Sequence, residues 1–534
     1  MRGLGRQETE HYSDTIELRE DTMPDRSAKW DLRILAGLSF SIFLYQMFAS
    51  SLSSYGYFID ELYYIACSKH LAFGYVDHPP LSIMILALSR WFLGDSMSAI
   101  RFLPALAGAT NVFVTGLIVR RFGGSRLAIV IAALATIIVP VYLLMGSFYS
   151  MNAFEPLIWT SILYFVVRLV QEDDKKCWLA IGILMGIGME MKHTMALYGI
   201  ALILGMLVTN GRHFLRNKWF LWGVLGCFVL LLPNLIWQYL HGFPSLEFYK
   251  NAMANKNILR SPLNVVLDQV LYTNPATVPV WIAGFLYFFF SREGKRYLFL
   301  AWAYLLLLAV MVVSGSSRPD RIAAMYPVLF AAGAVAIEKI RRRSMQRYMT
   351  VSMVVVLAAG GVILAPVFTP VLPPALLRQY ISALGLSFDI ETGKRNEPLP
   401  QWLADRLGWR ELAADVGVVY HTLSAEEQQN SIIVSTNYGE AGALELYGRE
   451  FGLPRVFATH NSYHLWGPPP DSVRTYIGVF VNRRDLQGRF ESVVEAGIHI
   501  CEDCTRPQRR IPIYVARGPR FSISAEWANF KIYD

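Results

Sequence analysis

Leu32-Arg-Ile-Leu-Ala-Gly-Leu-Ser-Phe-Ser-Ile-Phe-Leu-Tyr-Gln-Met-Phe-Ala-Ser50 carries one charge, Arg33, and none after it. A run of that length and character is what a helix needs to cross the ~30 Å hydrocarbon core of a bilayer. Ten further runs follow, at 97–119, 126–146, 151–170, 178–190, 194–209, 219–240, 276–291, 297–315, 320–338 and 348–369. Hydrocarbon offers no partner to a backbone N–H or C=O, so such runs close their hydrogen bonds internally as helices. The expected fold is therefore a polytopic α-helical membrane protein of about eleven spans.

Composition agrees. Of 534 residues, 54% are hydrophobic and only 17% charged, where a soluble domain carries about 25% charged residues. These figures exclude disorder, coiled coil and collagen. The net charge of +8 does not read as a nucleic-acid surface. Arg120, Arg121 and Arg126, then Lys175 and Lys176, then Arg212, Arg216 and Lys218, then Arg292, Lys295 and Arg296, then Lys339, Arg341, Arg342, Arg343 and Arg347 occupy every second loop. That alternation is the positive-inside pattern, so these loops and the amino terminus are expected in the cytoplasm. An odd number of spans then puts the tail outside. Residues 1–30 contain seven acids and no apolar stretch, so no cleavable signal is expected and the first span acts as an anchor.

The expected organisation is a cytoplasmic segment 1–31, a membrane domain 32–370 with a long first outer loop 51–96, a linker 371–384, and an extracytoplasmic α/β domain 385–534. In the first outer loop, Leu62–Ala72 and Leu81–Leu93 read as amphipathic helices lying along the interface, separated by His78-Pro79-Pro80. The fifth and sixth spans are short, with Glu190-Met191-Lys192-His193-Thr194 between them. Short or broken segments at membrane depth belong beside a cavity rather than against lipid. In the tail, Ser431–Ser435 and Arg455–Thr459 read as parallel strands flanking a helix over Gly439–Phe451, with further strands at 475–481 and 511–516 and a helix over Trp409–Thr422. Five cysteines are too few for a disulfide scaffold. Cys501-x-x-Cys504 has no second pair, so a local disulfide or two unrelated thiols is expected before zinc.

Only fifteen Asp or Glu lie between residues 31 and 370. Asp60, Glu61, Asp77, Glu155, Glu190, Glu247, Asp268 and Asp320 all fall on the outer side by this topology, with Lys192, His78, His193, His241, Arg318 and Arg321. Acids at the edge of an apolar region are costly unless hydrated, paired or functional. Asp60 is either a helix cap or a general base that takes a proton from an acceptor hydroxyl. Glu155, just inside its span, is either half of an ion pair with Lys192 or His193 or a substrate or metal ligand. Lys192, Arg318 and Arg321 either reach toward lipid headgroups or clamp a phosphate leaving group.

These residues sit in a pattern. Asp60-Glu61-Leu-Tyr-Tyr, Gly74-Tyr-Val-Asp77-His78-Pro79-Pro80-Leu81 and Arg101-Phe-Leu-Pro104-Ala resemble the first outer loop of bacterial GT-C glycosyltransferases. The branch is the dolichyl-phosphate-mannose–protein mannosyltransferase-like superfamily, which includes protein O-mannosyltransferases and the lipid A aminoarabinose transferase. The Asn152-to-Pro156 acid, the Lys192 segment, Trp237-Gln-Tyr-Leu-His241-Gly-Phe-Pro-Ser245, Asn437-Tyr-Gly-Glu-Ala-Gly-Ala443 and His460-Asn-Ser-Tyr-His-Leu-Trp-Gly467 match in order.

The resemblance implies a GT-C membrane domain that moves a sugar from a polyprenyl-phosphate donor to an acceptor hydroxyl at the outer face of the cytoplasmic membrane, with inversion. It implies catalytic roles for Asp60 and Glu61, with Asp60 the base, and donor contacts at Glu155 and Lys192. His78, His241, Arg318, Arg321 and Tyr326 complete the expected substrate-binding set. Arg318-Pro-Asp320-Arg321 stands where relatives often carry Lys or His before the Tyr-Pro matched by Tyr326-Pro327, so its phosphate role is shifted. The implied partners are a polyprenyl-phosphate sugar, a lipid, polysaccharide or protein acceptor, and membrane lipids. No cofactor is assigned. A divalent metal stays open, with His78, His241, Glu155 and Glu247 as its nitrogen and oxygen donors. His460, Asn461, Tyr463, His464 and Trp466 read as a sugar-facing set or as an ordinary packed loop. The competing readings are a lipid or sugar transporter, which would place its polar residues at the midplane, and a scaffold that merely presents the tail.

Overall fold

The computed structural model describes residues 24–51, 54–340, 343–388, 391 and 397–534. Residues 1–23 of the amino-terminal segment, and Arg341 and Arg342 of the last basic loop, lie outside the described residues.

All eleven apolar runs are helical, but they divide into two kinds. Among the described residues, seven helices are long and apolar enough to cross a membrane: Lys29–Ser51, Met97–Arg121, Met151–Glu172, Lys218–Leu240, Gly294–Val313, Pro319–Glu338 and Tyr348–Phe368. Four are shorter: Arg126–Ile137, Cys177–Met191, Met195–Leu207 and Pro275–Phe290. The run expected over 126–146 breaks because Pro140 has no N–H to continue the helix, which restarts with Pro140 in its first turn. The fifth and sixth runs are separated by Lys192, whose backbone is extended at φ −155°.

The two ends of the bundle differ. Along the helix Glu155–Glu172, about 27 Å long at 1.5 Å per residue, one end holds Glu155 against Lys192. At the other end, Glu172 accepts from Arg121 at 2.5 Å and Arg168 at 2.7 Å, and Lys339 reaches Glu293. The basic loops thus gather at one rim and the acids of interest at the opposite one.

The tail sits on that opposite rim. Its sheet has the order β2-β1-β3-β5-β4, with β1 Ser431–Ser435, β2 Val456–Ala458, β3 Thr475–Val479, β4 Phe490–Ile500 and β5 Arg510–Pro519. β1 pairs in parallel with β2 and β3, and β5 runs antiparallel to β3 and β4. Sequence reading missed β4, an edge strand whose side chains are mostly exposed and so lack a hydrophobic alternation. The 371–384 stretch expected as a linker contains the helix Pro374–Leu384. Cys501 and Cys504 form a local disulfide.

The 51–96 loop corrects one expectation. The helix expected over Leu62–Ala72 as an interfacial element runs instead over Ile59–Cys67, and all its residues but Asp60 are buried. The tail covers it. Asp405 and Arg406 of the tail accept, through their backbone carbonyls, from the N–H groups of Ile59 and Gly56 at 3.1 and 2.9 Å, so tail backbone satisfies donors at the entry of this helix. The tail helix Tyr438–Tyr447 packs along it with no room for a side chain. A Cβ on Gly439 would fall 2.3 Å from the Ile59 side chain, and one on Gly442 would fall 2.9 Å from the Leu62 backbone. Gly442→Leu is therefore expected to push the two helices apart, at ~1–3 kcal/mol of overpacking, and to lower activity more than the loss of folded protein explains. A melting curve beside an activity assay checks both. The helix expected over Leu81–Leu93 forms as read.

Candidate active site

Asp60 and Glu61 lie side by side in the first turn of the Ile59–Cys67 helix, where a carboxylate is favoured by the exposed N–H groups. They point to different surroundings. Glu61 is fully buried. It receives Nε and Nη2 of Arg101 at 2.9 and 2.6 Å, and the N–H groups of Phe58 and Tyr149 at 2.8 Å each. Its lone pairs are thus spent on the wall behind the helix. Asp60 is half-buried, and its Oδ1 accepts from the Tyr438 hydroxyl of the tail at 3.0 Å. Burial pushes its carboxyl up to about 6. The Tyr438 hydrogen bond opposes that rise, and the nearby charges of Asp77 and Glu391 add to it.

Tyr438→Phe removes a donor that favours the ionised form of Asp60. The expected result is a further rise of the Asp60 pKa, so the acid limb of the pH–rate profile moves to higher pH. A profile unchanged by the substitution would show that Asp60 does not set that limb.

The rest of the rim is connected. Tyr63 donates to Asp77 at 2.9 Å, and its hydroxyl accepts from the N–H of Ser462 at 3.1 Å. His78 is fully buried, stacks on Tyr64 with ring centres 4.7 Å apart, and has no hydrogen-bond partner at Nε2 among the described residues. Lys192 donates to Glu155 Oε2 at 2.7 Å and lies 3.8 Å from Asp320. The other oxygen, Glu155 Oε1, is buried without a hydrogen-bond partner among the described residues. His193 is held between Asn234 at 2.9 Å and Tyr249 at 3.2 Å, and Asn234 also donates to Phe73 O in the 51–96 loop. Arg318 pairs with Glu391 at 2.5 Å and also lies in the fields of Asp320 and Asp60. Arg321 lies in the fields of Asp320, Arg318, Glu155 and Tyr249, and Tyr249 in turn feels Asp77. Asp60, His78, Glu155, Lys192, Arg318 and Arg321 therefore belong to one electrostatic neighbourhood.

Three expected residues fall elsewhere. Glu61 is behind the helix, as described. His241 is exposed and stacks on Trp237 at 4.1 Å, with Nδ1 on the Trp237 carbonyl at 2.8 Å. Tyr326 is buried in the bundle, where its hydroxyl meets Tyr304 and Gln269 at 3.1 Å each. The four residues considered for a metal are held by separate partners, and Glu247 pairs with Lys531 of the tail at 2.8 Å. Among the described residues, no group of three or more His, Cys, Asp or Glu is placed to hold a metal ion. In the tail set, His460 bonds Asp534 at 3.1 Å and His464 stacks on Trp527, which makes them packing residues of the tail.

The contributor that sequence reading passed over is Tyr438. It stood inside a matched motif, but only the docking of the tail brings it, 378 positions away, to Asp60. Arg101 likewise stood in a quoted motif, with nothing in its spacing to link it to Glu61.

Residues 77–237 match the sequence model of the dolichyl-phosphate-mannose-protein mannosyltransferase family. No curated protein matches the chain in sequence. Among solved structures, the fold resembles ArnT from Cupriavidus metallidurans bound to undecaprenyl phosphate, with a TM-score of 0.57 at 15% identity over 91% of this chain and 98% of that one. The apo state of the same protein gives 0.59 at 14% identity over 92% and 98%. The arabinofuranosyltransferase AftD from Mycobacteria gives 0.50 at 14% identity, over 93% of this chain and 40% of that one. At these identities the likeness is one of fold. The chain therefore shares its fold with these proteins, and its residues 77–237 are similar to the mannosyltransferase family model.

Proposed function

We propose that this protein is a membrane glycosyltransferase that moves a sugar from a polyprenyl-phosphate donor to an acceptor hydroxyl at the extracytoplasmic face. The observation that carries the reading is the pairing of Asp60 with the cations of the same rim. On one side stands a half-buried carboxyl pushed up to about 6 and tethered by Tyr438. On the other stand Lys192, Arg318 and Arg321, positive groups at the end of a bundle in which the donor's lipid chain would lie.

The chemistry follows from those two halves. Ionised Asp60 takes the proton of the acceptor hydroxyl as its oxygen attacks the anomeric carbon. The bond from that carbon to the phosphate oxygen breaks, and its electron pair leaves on the phosphate. Lys192, Arg318 and Arg321 stabilise the charge that develops there. One displacement inverts the anomeric centre, and no covalent enzyme intermediate is needed. Glu61 does not touch substrate in this account. Through Arg101 it fixes the helix that aims Asp60. Glu155 holds Lys192 in place and keeps Oε1 for a donor group. The undecaprenyl phosphate bound to ArnT, which is similar in fold, supports a polyprenyl-phosphate donor here.

Two observations support the orientation. The basic loops occupy the rim opposite Asp60, and the Cys501–Cys504 disulfide belongs in an oxidising compartment. Both support a site and tail outside the cytoplasm.

The test is release of polyprenyl phosphate by the purified protein in proteoliposomes, run over a panel of polyprenyl-phosphate sugars with an envelope extract as acceptor source. Release from one member of the panel supports the proposal and names the sugar. Movement of the intact donor across the bilayer without cleavage would overturn it in favour of a transporter.

A further inference from the structure

A cleft of about 300 Å³ opens in the tail, away from Asp60, between the end of the 51–96 loop's first helix and β2. That volume is at the lower bound for small-molecule sites. Trp466 lies stacked on His70 at 4.2 Å, their planes 19° apart, and Tyr463 packs 4.4 Å from Trp466. The one carboxylate among the lining residues, Glu445, is already engaged by Lys69 at 2.6 Å and the Tyr463 hydroxyl at 2.9 Å. Arg449 and Arg455 also line the cleft. Both are exposed, and neither pairs with a carboxylate among the described residues; Arg455 lies over the Phe457 ring at 5.1 Å.

We infer that this cleft binds an anionic saccharide, a sugar carrying a carboxylate or a phosphate, as a remote part of the acceptor. Tyr463 is buried behind Trp466, and the outer faces of the stacked, partly exposed Trp466 and exposed His70 match the apolar face of a sugar ring. The planar guanidinium groups match a carboxylate or phosphate in two-bond geometry. The placement gives the site a purpose. The tail helix carries Tyr438, bonded to Asp60, at one end, and Glu445 near the other, with Arg449 just beyond. From 438 to 449 is about 16 Å at helical rise. An acceptor chain anchored in the cleft is held at a fixed distance from the base. The inference thus rests on the proposed glycosyl transfer, and it extends that reading to the acceptor.

The test uses the full chain in lipid nanodiscs and three probes: a glucuronate-containing tetrasaccharide, the same tetrasaccharide with its carboxyls reduced to alcohols, and mannose 6-phosphate. Binding is followed by calorimetry for the wild type and for Arg449→Gln with Arg455→Gln. At least one anionic probe is expected to bind, and which one separates carboxylate from phosphate. The double substitution is expected to weaken whichever anionic probe binds at least ~10-fold, and carboxyl reduction to weaken tetrasaccharide binding by as much, as loss of charge-assisted pairs should, with the melting temperature unchanged. Equal affinity for charged and reduced probes, affinity indifferent to the double substitution, or no binding of either anionic probe would overturn the inference. Donor cleavage is measured in parallel. Cleavage without saccharide binding removes the cleft alone, whereas saccharide binding without cleavage removes the catalytic reading alone.

Discussion

Asp60→Asn is expected to lower sugar transfer by ~10²–10⁴-fold, the usual worth of a positioned general base. The substitution keeps the size of the side chain and an oxygen for the Tyr438 hydroxyl, 3.0 Å away in the native protein. It removes only the capacity to take a proton. Folding should hold, because Asp60 makes no ion pair in the described structure and its burial disfavours the charge that is lost. Donor affinity should hold as well, since the proposed phosphate contacts are Lys192, Arg318 and Arg321. The measurement is a single-turnover rate beside a donor-binding constant and a melting curve. A rate loss accompanied by an equal loss of donor affinity would move Asp60 from proton transfer to donor binding.

Arg101→Met carries the largest expected stability effect. Arg101 and Glu61 are both fully buried, and the guanidinium supplies two of the four donors that Glu61 accepts. Removing one member of a buried pair leaves the other charge uncompensated, at ~3–5 kcal/mol. A second buried cation tempers this loss and worsens the opposite one. Arg406 of the tail donates to the carbonyl and hydroxyl of Ser147 at 3.2 and 2.8 Å, and the neighbouring Arg101 charge adds to the burial that pulls Arg406 down to about 9. Glu61 opposes that pull, so neutralising Glu61 instead would leave Arg101 and Arg406 facing each other. The double variant Glu61→Gln with Arg101→Met should recover part of the loss, because it removes both charges. Chemical denaturation of the three variants in detergent checks the order. If Arg101→Met is as stable as the wild type, the pair does not hold the Asp60 helix.

How much of this could be read in sequence depended on whether a feature was local. Membrane character, the helical runs, the acid and cation side, and the β1–helix–β2 unit all follow from composition and periodicity, and the structure contains them. The residues Asp60, Glu155 and Lys192 were legible because a charge at the edge of an apolar run stands out whatever the tertiary fold. The burial of the Ile59–Cys67 helix was not legible. Its Leu62, Tyr63, Tyr64 and Ile65 read as an apolar face for lipid, and the tail helix, packed through Gly439 and Gly442, together with His78 and Tyr149 against Tyr64, turns them into core. The division of labour between Asp60 and Glu61 was hidden for the same reason. Adjacent carboxylates look alike in sequence, and their difference is made by Arg101 on one side and Tyr438 on the other. His241 and Tyr326 stand in matched motifs, yet stacking on Trp237 and bonding to Gln269 place them apart from the charged rim.

The most direct test of Asp60 as the base is the pH dependence of polyprenyl-phosphate release in a single turnover of the wild type. A base must be ionised to accept a proton, so a carboxyl pushed up to about 6 gives a rate that climbs as pH rises through that value and levels above it. The account predicts that limb in the wild type and its absence from the residual activity of Asp60→Asn. A wild-type rate that is flat across the same interval, or a limb that survives in Asp60→Asn, would contradict it.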